Sequence, residues 1–97
     1  MGEKIMTLHP QGKQGVNISR ACYETVRTSI VKALMDNEIL TFTQLTETVR
    51  SDLDGKFDGS INWYVTTVKL DLEARGEIER VPNSRPQQVQ LTRKTTR

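Results

Sequence analysis

Three apolar-striped segments, each with a helix start or stop signal, are followed by two short apolar runs around a proline-bounded turn. This order predicts an α+β fold, mostly α: a three-helix bundle closed by a C-terminal β-hairpin and preceded by an extended N-terminal arm. The third segment is the clearest. Ile61, Val65, Val68 and Leu72 recur at i, i+4, i+7 and i+11, and Gly76 stands where a helix would stop.

The arm, residues 1–18, holds Gly2, Pro10, Gly12 and Gly15 and so disfavours a helix. Its apolar residues Ile5, Met6, Leu8, Val16 and Ile18 predict that it docks in part on the folded body. The domain proper is expected over 19–92. Ser19 is an N-cap, and Tyr23, Val26, Ile30, Ala33 and Leu34 mark one face of a first helix to about Asp36. Asn37 and Glu38 break that pattern, and Ile39 with Leu40 reads as an apolar link. Thr41 and Gln44 then form a capping box, with Leu40 and Leu45 at the hydrophobic-staple positions, so a short second helix buries Phe42, Leu45, Val49 and Leu53. Asp54, Gly55, Asp58, Gly59 and Ser60 make a turn, and Asp58 or Ser60 caps the third helix, Ile61 to Arg75. Two short strands should flank Pro82 to Pro86 with a four- or five-residue loop. Residues 93–97 read as a frayed basic tail.

With 97 residues, 35% hydrophobic and 27% charged, the chain suits one domain at the polar end of the globular range. The net charge of +2 is unevenly spread: +2 over 1–20, −3 over 21–59 and +3 over 60–97. After Glu79 come Arg80, Arg85, Arg93, Lys94 and Arg97 with no acid, an asymmetry that favours polyanions, although a solvated tail gives the same pattern. Cys22 is the single cysteine, so neither an internal disulfide nor a thiolate metal cluster is expected, and a reducing cytoplasm is the natural setting. No signal-peptide pattern or long apolar run points to a membrane.

Three helices followed by a hairpin is the element order of the winged helix-turn-helix superfamily, and the residues themselves resemble it. In the stretch VTTVKLDLEARGEIERVP, Val65 to Pro82, the residues Leu72, Glu73, Gly76, Ile78 and Arg80 are similar to the recognition helix, glycine turn and first wing strand of many small bacterial regulators. Over its whole length the chain resembles a family of small uncharacterised bacterial winged-helix proteins. The resemblance implies a fold and, through the superfamily, a DNA-binding transcriptional regulator or accessory factor.

In such a protein the third helix enters the major groove and the wing tip touches backbone or minor groove. On a helical wheel of about 100° per residue, with Ile61 at zero, Asn62, Thr66, Lys69 and Glu73 cluster at roughly 80 to 140°. Asn62 is the candidate for adenine, Thr66 for a thymine methyl or a phosphate, and Lys69 for phosphate neutralisation, with Ser60 and Thr67 beside them. Glu73 should repel the backbone and push the footprint toward the start of the helix. Arg85, between two prolines, is the leading wing contact, with Lys13 and Arg20 in support. A solvated helix face explains these polar residues equally well.

Trp63, Leu70 and Ala74, at i, i+7 and i+11, give the third helix a second apolar face. It should be covered by the arm or by a second subunit, since exposed apolar patches mark interfaces. The alternative function is therefore a protein-interaction or homodimerisation module around Trp63 and Leu70. Catalysis has little support: His9, the sole histidine, lies in the arm, Cys22 has no partner in sequence, and Asp52, Asp54 and Asp58 lack the terminal glutamate of a calcium loop. No cofactor motif and no small-molecule ligand are expected, because Walker, Rossmann and HExxH patterns are missing.

Overall fold

The computed structural model describes residues 3–9, 11–12, 15–57, 59–83 and 85–92. The fold is α+β, with close to half the chain in three helices and the rest built around two small antiparallel sheets. In chain order the elements are β1 (Lys4–Met6), β2 (Asn17–Ser19), α1 (Arg20–Asn37), β3 (Ile39–Thr41), α2 (Phe42–Leu53), α3 (Ile61–Ala74), β4 (Ile78–Arg80) and β5 (Gln88–Leu91). Among the described residues, no helix is long and apolar enough to cross a membrane.

Each helix begins on a side-chain oxygen that satisfies an otherwise unpaired N–H. Ser19 Oγ accepts from the Cys22 N–H at 3.4 Å, and Ser60 Oγ accepts from the Trp63 N–H at 3.3 Å. The Thr41 and Gln44 box closes in both directions at 3.0 Å. Helix α3 ends in a Schellman arrangement, with Glu77 N–H donating to Leu72 O at 2.9 Å and Gly76 N–H to Glu73 O at 3.1 Å. Gly76 has φ 78°, the left-handed conformation that this cap requires.

The apolar stripes converge. Val26, Ile30 and Leu34 of α1, Leu45 and Val49 of α2, and Val65, Val68 and Leu72 of α3 are all buried, and Ile78 and Val89 close the core from the sheet side. The sheet differs from the sequence expectation. It has three strands in the order β3-β5-β4, because Ile39–Thr41 pairs along β5 with Leu40 opposite Val89. Ile39 and Leu40 are too short a run to show alternation, yet joining β5 satisfies their backbone and buries Leu40. The loop between β4 and β5 is also longer than expected: Val81 N–H donates to Gln88 O at 2.9 Å, which leaves six residues between that pair.

The arm is a hairpin rather than a loose extension. Strand β1 pairs with β2, placing Ile5 opposite the buried Ile18. Beyond the strands, Thr7 N–H donates to Val16 O at 2.8 Å, and Val16 N–H donates to Thr7 Oγ1 at 2.9 Å. Gly15 fits only because it lacks a side chain: a Cβ there would stand 1.7 Å from Thr7 O.

Candidate nucleic-acid interface

Helix α3 lies beside α2, and between them runs a groove of about 460 Å³ lined by Phe42, Thr43, Thr46, Glu47, Arg50, Asn62 and Thr66. Arg50, in the last turn of α2, donates from its guanidinium to Asn62 Oδ1. Thr66 Oγ1 donates to Asn62 O at 3.0 Å and Thr46 Oγ1 to Phe42 O at 2.9 Å, so each hydroxyl spends its proton on its own helix. The methyl groups and free lone pairs of these threonines remain for other contacts. Asn62, Thr66 and Arg50 are exposed, as is Arg85 in the loop between β4 and β5.

Three of the residues singled out for this surface stand elsewhere. Lys69, expected to neutralise a phosphate, is buried, and its ammonium is 2.8 Å from Glu73 Oε2, with both side chains under one-tenth exposed. Its Nζ also sits 5.4 Å from the centre of the Phe42 ring. Glu73 does not face solvent as a repelling charge, because Arg80 Nε reaches its other oxygen at 3.2 Å. A wheel assigns angles but does not show that β4 lies alongside this half of α3, which turns an outer position into a covered one. Thr67 points to the arm, not the groove: it shares a small cleft of about 90 Å³ with Leu70, Thr7, Leu8, His9, Gly15 and Val16.

The remaining candidates are placed as follows. Ser60 is exposed but serves as the α3 cap. Arg20 is ion-paired with Glu3 at 3.1 Å and Glu24 at 3.6 Å, next to the arm. Lys13, Arg93, Lys94 and Arg97 lie outside the described residues. Leu70 and Ala74 are half-buried, and the arm reaches Leu70 through the Thr67 cleft. Trp63 is left 46% exposed, resting edge-on against Tyr64, which in turn meets Phe57 edge-on.

The polar residue that sequence reasoning missed is Asp71. It is fully buried, on the α3 side that faces α1 and the arm. It accepts from the Tyr23 hydroxyl, from the Leu8 N–H at 2.8 Å and from Arg75 Nε at 2.8 and 3.0 Å. One carboxylate thus joins arm, α1 and α3. Burial raises the Tyr23 phenol above its usual range and the bond to Asp71 adds to this, while the same carboxylate raises Arg75. Tyr64 is raised too, first by burial and then by its neighbour Cys22. The i, i+4 spacing of Asp71 and Arg75 was the available sequence signal.

Residues 4–89 match the sequence profile of DUF6958, a family of unknown function. The chain belongs to the DUF6958 family. The span that defines DUF6958 here opens on the first residue of β1 and ends inside β5, so it takes in the arm hairpin together with the helices and most of the three-stranded sheet. The α2–α3 groove and the Arg85 loop therefore both lie within the DUF6958 region. No curated protein matches this sequence.

Proposed function

We propose that this chain is a winged helix-turn-helix protein that binds duplex DNA, as a cytoplasmic bacterial transcriptional regulator or accessory factor, and that it acts by binding rather than by catalysis. In this reading α2 and α3 are the helix-turn-helix, the β3-β5-β4 sheet carries the wing, and the loop holding Arg85 is its tip. One observation carries it. Arg20, Arg27, Lys69, Arg75 and Arg80 are each ion-paired to a carboxylate. Among the described arginines, Arg50 on the α2–α3 groove and Arg85 at the wing tip are the two with no carboxylate partner, as are the exposed lysines Lys4, Lys32 and Lys56 away from this surface. Exposed cations left unpaired beside polar, back-bonded threonines suit a phosphate backbone and the base edges next to it.

Titration of the pure protein against a fluorescent duplex at low and moderate salt tests this. Each phosphate neutralised adds about −0.9 to the slope of log affinity against log salt, so the few unpaired cations of this surface predict a shallow slope. Arg85→Ala should flatten it by about one such increment. Failure of the wild type to bind any duplex at low salt ends the proposal.

A second reading is favoured by Trp63 alone. A half-exposed indole at the start of α3 fits a contact with another protein or a second copy of this chain. Light scattering on the wild type and on Trp63→Ala discriminates: a monomer at all accessible concentrations removes the second copy.

A further inference from the structure

We propose that, within the DNA-binding reading on which this rests, the specificity-determining residue is Arg50 of α2, that it selects a guanine, and that Asn62 positions it rather than reading adenine. An asparagine reads adenine by accepting from the base amino group while donating to N7, which needs its amide free to align with the base edge. Here Asn62 Oδ1 already accepts from Arg50. One lone pair of that oxygen stays free, but the bond holds the amide in the orientation that serves Arg50. Arg50, conversely, spends one N–H on Asn62 and keeps the rest of its five donors, enough for the paired contact to guanine O6 and N7.

The surroundings favour a base edge over a phosphate. Glu47 lines the same groove, and its charge opposes the full charge of a phosphate more than the partial charges on guanine O6 and N7. Thr46 and Thr66 line the groove with their protons committed to Phe42 O and Asn62 O, so toward a ligand their hydroxyls can only accept. Lys69, the other cation within reach of Phe42, is taken up by Glu73. Among the described residues Arg50 is thus the one cation lining the groove, and its bond to Asn62 Oδ1 limits its rotamers before any ligand arrives.

The test is selection from a randomised duplex pool with the wild type, Arg50→Ala, Arg50→Lys, Asn62→Ala and Arg85→Ala. The wild type should enrich sites containing a guanine whose replacement costs about 5- to 150-fold in affinity. Both Arg50 variants should lose preference at that position, because lysine keeps the charge but not the fork. Arg85→Ala should weaken all sequences alike and keep the preference. Placing 7-deazaguanine at that position should weaken the wild type and add nothing to the loss in Arg50→Ala. Persistence of the guanine preference in either Arg50 variant overturns the proposal, as does selection of an adenine that disappears in Asn62→Ala. Binding without any sequence preference also overturns it, while leaving the DNA-binding reading intact. Only a wild type that binds no duplex brings down both.

Discussion

Asp71 shows how much one buried side chain organises. A carboxylate without water must be neutralised and hydrogen-bonded, and here an arginine, a phenol and a backbone amide do so together. Removing it strands three donors, so Asp71→Ala should cost about 3 kcal/mol or more in urea unfolding and free the Leu8 amide to exchange with solvent. Tyr23 gives a pH signature. Its folded-state pKa lies above the ordinary value of 10.0, so the stability it contributes is intact below pH 10 and is lost as pH rises from there toward the folded value. Urea midpoints measured from pH 9 to 11.5 should fall for the wild type, and fall less steeply for Tyr23→Phe. At the same scale, Lys69 departs from its sequence expectation. Its type and wheel position match those of a free surface lysine, and only the placement of Glu73, Phe42 and Arg80 around it removes it from solvent.

At the scale of elements, the helices are written locally and the small strands are not. The Thr41–Gln44 box, the Ser19 and Ser60 caps and the Gly76 stop each act across at most five residues of chain, so their physics is complete in the sequence. Thr41→Ala should therefore lower stability by about 1 kcal/mol, read as a shift in thermal midpoint with unchanged helical content. The three-residue strands β1, β2 and β3 have too few positions to display a period of two, and each exists because a distant partner accepts its backbone bonds. Gly15 carries a sharper expectation. Because a Cβ would overlap Thr7 O, Gly15→Ala should open the arm hairpin, exposing Ile18 and the Thr67–Leu70 side of α3. A protease cut near the arm that appears in Gly15→Ala and not in the wild type would verify it; equal resistance of the two proteins would refute it.

Across the whole molecule, the arm and the two sheets divide the surface of α3. The arm hairpin lies on the Leu70 side, β4 lies along the Glu73 side, and what stays open is the first two turns, with Asn62 and Thr66 on one flank and Trp63 on another. This arrangement leaves the start of α3 as the stretch of that helix open to a ligand. The sole tryptophan reports directly on which open flank is used. Its emission should be red-shifted and quenchable by iodide in the free protein. DNA held by Arg50 and Arg85 should leave that quenching largely unchanged, whereas a blue shift that grows with protein concentration would point to a second copy seated on Trp63.

The sequence by itself determined the three helices, nearly all of their boundaries and their buried stripes except Phe42 and Ile61, which are only partly buried, because caps, glycine stops and 3.6-residue periodicity are short-range effects that each segment carries with it. It also located the β4–β5 turn through Pro82 and Pro86. Tertiary structure alone decided which polar side chains are free. Ion pairing, strand pairing and coverage depend on residues far apart in the chain, as Leu8 with Asp71, Arg27 with Glu77 and Leu40 with Val89 illustrate. A charged side chain exposed on an isolated helix becomes structural once another element closes over it, and no pattern within that helix records the closure.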